Sequence, residues 1–311
     1  MVTQIDVCLA CYNGGRYLPA LLASLRAQDE PSFRVLMQDD GSTDDTPALL
    51  AAAQAADARF IPAAEQGRHL GAVGNFLSLI RQSDAPYTAL CDQDDVWHAD
   101  KLSACRAAMA RAEAEYGSDT PLLVHSDAAL VDADGAPLHP SFFAHQGWDG
   151  STVTLAPLLV QNNVTGCTLL MNAPLRRLVA AHGTPEAMFM HDWFIALTAA
   201  AFGQIVFLPR ALVDYRQHGT NVMGASKGGQ LARFARALSL PRQVRERIAL
   251  TYRHTRAFAA SYPALPDEAR HVIDAYLTLP ETPKLTRWRT LRRLGCLMQS
   301  PLTRLAQLLF T

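Results

Sequence analysis

The first hundred residues alternate short apolar runs with amphipathic ones, a pattern satisfied by a parallel sheet covered on both faces. Ile5 to Ala10 reads as a buried strand, and Tyr17 to Ala27 has helical spacing through Leu18, Leu21, Leu22 and Leu25. Phe33 to Gln38 predicts a second strand, Thr46 to Ala56 a helix, Arg59 to Ala63 a short strand, Asn75 to Gln82 a helix and Tyr87 to Leu90 a strand. Such sheets bind ligands beyond the carboxyl ends of their strands. Cys11-Tyr12-Asn13-Gly14-Gly15, Asp39-Asp40-Gly41-Ser42 and Asp92 to Asp95 all fall at that edge, so one shared site is expected. Further on, the pattern predicts a helix over Lys101 to Tyr116, a strand over Leu122 to Asp127 and a turn at Asp132 to Gly135. Gly166 to Met171 reads as a strand, His191 to Phe202 as a helix, and Ile205 to Leu208 as a strand leading to Asp214-Tyr215-Arg216. Gly224, Gly228 and Gly229 mark a linker, dividing an α/β domain over 1–224 from a helical region over 225–311.

Asp92-Gln93-Asp94-Asp95 places three carboxylates within four positions, and like charges that close do not all stay ionised without a cation. Mg²⁺ or Mn²⁺ fits, because a hard divalent ion takes one or two carboxylates and keeps positions open for phosphate oxygens. A nucleoside diphosphate substrate follows. Asp39 and Asp40 end a strand, where a carboxylate can accept the N3–H of a uracil or thymine ring. The plainer readings are an acidic turn before the helix at Lys101 and, for Ser42 to Asp45, a helix cap.

The 311 residues suffice for a sizeable core, and 49% of them are hydrophobic. The net charge of −1 hides an asymmetry: 13 basic against 24 acidic residues over 1–224, and 15 against 5 over 225–311. The six cysteines are scattered through apolar runs and read as reduced thiols. There is no leader-like start and no apolar window of about 18 residues, so a cytoplasmic protein is expected. Residues 281–311 interleave Lys284, Arg287, Arg289, Arg292, Arg293 and Arg304 with Trp288 and many leucines, as a helix lying on an anionic membrane does. Packing on the catalytic domain or on a second copy in a homo-oligomer is the alternative. Nucleic acid fits poorly, since the basic region carries no recognisable binding motif.

Three ordered motifs, Ala10-Cys11-Tyr12-Asn13-Gly14, Asp39-Asp40-Gly41-Ser42-Thr43-Asp44 and Asp92-Gln93-Asp94-Asp95, resemble the family 2 glycosyltransferases of the GT-A fold over roughly residues 3–222. Cys91 to Trp97, Asn163 to Cys167 and Tyr215 to Asn221 are most similar to its rhamnosyltransferase branch, which builds bacterial surface polysaccharide such as O-antigen. The resemblance implies a Rossmann-like, mostly parallel sheet with a nucleotide-sugar half over about 1–100 and an acceptor half over about 101–224. It implies that Cys11, Tyr12 and Asn13 border the nucleotide, that Asp40, with Asp39, binds the base, and that Asp92 lies near the ribose. Asp94 would be the principal metal ligand, with Asp95 supporting the metal or capping the next helix, and His218 reaching the metal or diphosphate. Arg216 and Arg68 are candidates for phosphate contact. Asp192 falls where the family carries its catalytic pair and is the candidate base, while His191 is assigned no catalytic role. Trp97, Trp148 and Trp193 are candidates for the sugar pocket, with core packing as the alternative.

The activity so implied is inverting transfer of L-rhamnose from dTDP-β-L-rhamnose, or a sugar from a UDP-type donor, to a glycan on a polyprenyl diphosphate at the inner membrane face. A sugar-1-phosphate nucleotidyltransferase and a binding scaffold without catalysis are the competing classes.

Overall fold

The structure, a computed structural model, describes residues 4–64, 66–218 and 241–311. The proposed linker glycines and Gly219 to Asn221 lie outside them. The chain opens with β1 (Ile5–Cys11), α1 (Leu18–Arg26), β2 (Phe33–Asp39), α2 (Thr46–Ala56), β3 (Phe60–Pro62), α3 (Gly71–Gln82) and β4 (Tyr87–Asp92). A short β5 (Val96–Trp97) leads into α4 (Lys101–Tyr116), β6 (Leu122–Val131) and β7 (Pro137–His139). Then come the short α5 (Phe142–Gln146) and α6 (Leu155–Leu158), β8 (Leu169–Asn172), α7 (Ala173–His182), α8 (His191–Phe202) and β9 (Gln204–Arg216). Four helices complete the described residues: α9 (Pro241–Ser261), α10 (Asp267–Leu277), α11 (Lys284–Leu294) and α12 (Pro301–Phe310).

The strands form one sheet in the order β3-β2-β1-β4-β8-β6-β9-β5, with β7 on β6. The half β3-β2-β1-β4 is parallel, as the strand-helix alternation requires. β8 enters antiparallel between β4 and β6, which makes the sheet as a whole mixed, and β6 and β9 are again parallel. In this register Cys11 lies opposite Asp39, and Ala10 opposite Asp92, so the three motifs leave the sheet at one level.

Both faces are covered. Ile5, Val7, Leu9 and Cys11 join a core with Leu18, Leu21 and Leu25 of α1 and Leu102 and Met109 of α4, each buried leucine contributing about 2 kcal/mol. Cys8, pointing the other way, joins the core with α3, α7 and α8. Cys8 and Cys11, three apart in one strand, therefore face opposite sides and cannot pair, and all six cysteines are free and buried. Phe258, Ile273, Tyr276 and Leu291 belong to the same core as α8, and Thr198 Oγ1 lies 2.9 Å from Tyr262 Oη. The basic helices thus cover the α8 side of the sheet.

Asp6, fully buried, ties β1 to its neighbours. It accepts from Arg34 Nε at 2.6 Å, from Ser83 Oγ at 2.8 Å and from the N–H groups of Asp84 and Ala85 at 3.0 and 3.1 Å. Burial alone would raise its pKa, yet the bonds from Arg34, Ala85 and Ser83 bring it below the usual carboxylate range. Asp6→Asn is expected to cost about 3 kcal/mol, read from urea unfolding. Because the folded-state pKa is the lower one, this stabilisation is present at neutral pH and lost as pH falls through the acid range. Burial also pushes His125 and His191 down to about 3, so the fold accepts both only as neutral rings, and their contribution to stability falls as pH drops below about 6.5. The buried carboxylates of the acidic site act in the opposite sense over this range, so the test is a comparison: between pH 7 and pH 5 a His125→Gln variant should lose less stability in urea, or gain more, than the unmodified protein, and an identical pH dependence contradicts this assignment.

Candidate active site

The loop after β1 is held from two sides. Tyr12 N–H donates to Gln93 Oε1 and Gln93 Nε2 returns a bond to Tyr12 O, both at 2.8 Å, joining the first motif to the third. Asn13 adopts a left-handed φ of 49°, with its N–H on Ser42 Oγ at 2.8 Å and its Oδ1 accepting Thr43 N–H at 2.9 Å, joining the first motif to the second. Gly14 has no room for a side chain, since a Cβ there would lie 2.2 Å from Gln93 Oε1. The N–H groups of Gly14 and Gly15 are taken by Thr46 Oγ1 and Asp44 Oδ2, each at 2.9 Å. Asp44 therefore supports this loop, in keeping with the plain capping reading.

Asp39 and Asp40 divide. The Asp40 carboxylate is 3% exposed and accepts the N–H groups of Leu70 and, at 2.8 Å, of Gly71, capping the start of α3 from thirty residues away. The resemblance makes Asp40, with Asp39, the base-binding carboxylate, and here both Asp40 oxygens accept backbone N–H groups. Asp39 is half-buried at the strand end, bonded by Ser42 through its N–H and hydroxyl, and is the more open of the two. Above them the ring of His69 lies 5.0 Å from that of Tyr12, with Arg68 exposed on the same loop.

The acidic cluster is held by the end of β9. Arg216 N–H donates to Asp95 Oδ1 at 3.0 Å, and Arg216 Nε to the Asp94 carbonyl at 2.8 Å. Arg216 Nη1 reaches the Ala133 carbonyl at 3.1 Å, and its guanidinium lies 5.0 Å from the Tyr17 ring centroid. At 6% exposure, with these contacts, Arg216 braces the acidic turn, the structural role that stood beside phosphate contact as its alternative. His218 Nε2 lies 2.7 Å from Asp94 Oδ2, and its ring stacks on Tyr17 at 4.9 Å. Asp95 does not cap a helix, as α4 is preceded by Asp100. Ligand atoms of Asp92, Asp95 and Cys167 all lie within 4.8 Å of one another, and the Cys167 thiol hydrogen-bonds the Asp95 carboxylate.

Asp192 occupies the first turn of α8, where the helix dipole favours a negative charge. Burial pushes its pKa up to about 6, partly offset by the N–H groups of Trp193 and Gly166. Gly166 is needed there, as a Cβ would come within 2.9 Å of His191 Nε2. His191 is buried against Phe76, ring centroids 4.1 Å apart, and so serves the core. Burial, then the charges of Asp94 and Asp192, hold Asp92 well above the usual carboxylate range, so Asp92, Asp94 and Asp192 act on one region of space. That shortage of positive charge, with the Asp92 and Asp95 carboxylates close together, fits a hard divalent cation held by carboxylates.

Tyr17 is a part of the site that no sequence motif singled out, because its partners Arg216 and His218 are distant in sequence, and Gln93 and Cys167, though inside the quoted motifs, carried no assigned role for the same reason. Trp97, beneath the Lys101 ammonium, and Trp193, whose Nε1 donates to Leu158 O at 2.6 Å, are core residues.

Residues 6–118 match the family model described as glycosyl transferase family 2. A dTDP-rhamnosyl transferase of Shigella flexneri, RfbG, is 23% identical over 228 residues, 70% of this chain and 74% of that protein. An uncharacterised protein of Mycobacterium bovis is 24% identical over 212 residues, 68% of this chain but only 58% of its own length. Among solved structures, the 1–349 fragment of S. aureus TarS in complex with UDP superposes with a TM-score of 0.58 at 15% identity, covering 98% of this chain and 88% of that one. The mannosyltransferase PcManGT of Pyrobaculum calidifontis, in complex with GDP-Man and Mn²⁺, gives 0.55 at 15% identity over 95% and 74%. The fold is that of these GT-A enzymes.

In metal-free protein the folded state favours neutral Asp92 while the unfolded chain ionises it, and this difference opposes folding at neutral pH. Asp92→Asn should therefore raise the melting temperature, by about 1 kcal/mol of stability, while removing most of any stabilisation by Mn²⁺. A variant less stable than the unmodified protein without metal counts against a shared acidic site.

Proposed function

We propose, from the family 2 glycosyltransferase domain formed by residues 6–118, that this chain is a metal-assisted inverting glycosyltransferase. Its donor would be dTDP-β-L-rhamnose, its acceptor a lipid-linked glycan of bacterial surface polysaccharide, and its product an α linkage. The observation that carries the reading is the clustering of Asp92 and Asp95 with Cys167, next to the Gly166 that adjoins Asp192, with Gln93 tying the acidic turn to the Tyr12 loop. The rhamnosyl donor is supported by the relative described as a dTDP-rhamnosyl transferase.

Asp94, with Asp92, Asp95 and His218 around it, would hold Mg²⁺ or Mn²⁺. Positive charge held there would offset the negative charge of the departing diphosphate. Asp39 would select the pyrimidine and Tyr12 border it. Arg216 keeps the acidic turn in place, and Asp192 takes the proton of the acceptor hydroxyl as that oxygen attacks the sugar C1. A base with a pKa near 6 is ionised at neutral pH and still basic enough to accept a proton. A nucleotidyltransferase fits less well, since the Gly14 and Gly15 N–H groups that would cradle a triphosphate are bonded to Thr46 and Asp44.

Asp192→Asn should leave dTDP binding nearly intact and cut rhamnosyl transfer by on the order of 10² or more, whereas Asp94→Asn should weaken both. In the unmodified enzyme kcat should decline about tenfold per pH unit below about 6 as Asp192 protonates. Full activity of Asp192→Asn would remove the base assignment.

We also assign α11 and α12 to the inner membrane surface. Leu285, Leu305 and Leu309 are exposed there beside Arg289, Arg292 and Arg293, and Lys284 Nζ bonds the Leu309 carbonyl at 2.8 Å, holding the two helices together. Among the described residues no helix is long and apolar enough to cross a membrane. Deleting 281–311 would strip buried Leu291 and Cys296 from the fold, so the test is the triple change Leu285→Glu, Leu305→Glu and Leu309→Glu. It should release the protein from phosphatidylglycerol vesicles while leaving its melting temperature within a few degrees, and retained vesicle binding would refute the assignment.

A further inference from the structure

A cavity of about 700 Å³ opens between the loop 147–157 and the C-terminal helices. Trp148, Asp149 and Thr152 line one wall, and Leu297, Gln299 and Arg304 the other. The walls are tied together: Asp149 N–H donates to Gln299 Oε1 at 2.6 Å, and Gln299 N–H to Gln161 Oε1 at 3.2 Å. Arg304 is held in turn, its Nε on Met298 O at 3.0 Å and its Nη2 on Gln299 O at 3.2 Å.

The cavity is coupled to the acidic site by two routes. Trp148 packs edge-on to Phe142 at 5.8 Å, and Phe142 edge-on to Tyr215 at 6.0 Å, next to the Arg216 brace. Asn163 Nδ2 donates to Asp149 O at 2.7 Å and Thr152 O at 3.2 Å, three residues before the Gly166 that adjoins Asp192.

We propose that this cavity is a subsite for the acceptor, binding neutral pyranose rings that lie beyond the sugar receiving the new linkage. The proposal rests on the glycosyltransferase reading above. A pyranose presents an apolar C–H face and a rim of hydroxyls, so it needs an aromatic ring together with groups that both donate and accept. Trp148 supplies the first, and Asp149, Thr152, Gln299 and Arg304 the second. A lipid chain would meet too many polar groups, and a phosphate would find the Arg304 charge opposed by Asp149. The volume lies within the range of about 300–1,000 Å³ usual for small-ligand sites. On this view the basic helices complete the acceptor site as well as covering the sheet.

The test uses the full chain and three neutral trisaccharides, of rhamnose, of N-acetylglucosamine and of glucose, titrated by saturation-transfer NMR. At least one should bind saturably, and both Trp148→Ala and Trp148→Leu should weaken it on the order of tenfold. Arg304→Ala should also weaken it, with the melting-temperature shift given by dTDP and Mn²⁺ unchanged in all three variants. Saturable binding to none of the three sugars, or binding indifferent to both Trp148 changes and to Arg304→Ala, overturns the subsite. A missing dTDP shift in the unmodified protein overturns the donor reading instead, so the two failures are distinguishable.

Discussion

The parallel register of β1, β2 and β4 is the constraint on which the site depends. It brings Cys11, Asp39 and Asp92 to one level at the carboxyl edge, so that the Tyr12 loop, the Ser42 turn and the acidic turn meet there. Asp6 holds that register from the opposite end, accepting bonds from Arg34 on β2 and from the turn that feeds β4. A buried ion pair fixing strand alignment at one end lets the other end carry carboxylates whose mutual repulsion opposes folding.

That repulsion is localised. Asp92 is held well above its ordinary range by burial and by its neighbours' charges, while Asp192 rises to about 6 mainly through burial. The two groups thus differ in origin as well as role: one belongs to a cluster that calls for a cation, the other to a helix start that keeps it a usable base. His191 stays neutral in the core and takes no part.

The strand-helix alternation made the parallel half of the sheet legible, and α2, α4 and α8 begin and end where the periodicity places them. What escaped was set by contacts between distant residues. α3 begins at Gly71, four residues before the expected Asn75, because Asp40 caps it across the sheet edge. The same bond engages the carboxylate expected to bind the base. Arg216, a candidate for phosphate contact, is folded inward onto the Asp94 and Ala133 carbonyls, contacts that its sequence neighbours do not reveal. Gly166 to Thr168 form a 3-10 turn before β8, which aims Gly166 at Asp192 in place of extending the strand. The cavity between the loop 147–157 and the last helices had no sequence signature, since its walls are about 150 residues apart.

The most direct measurement is the melting temperature of the protein with dTDP, UDP, GDP and CDP, each with and without Mn²⁺. A shared metal and pyrimidine-nucleotide site at the three strand ends requires stabilisation by dTDP or UDP that depends on Mn²⁺ and exceeds that given by GDP. Equal shifts without the metal, or none with any nucleotide, would contradict it.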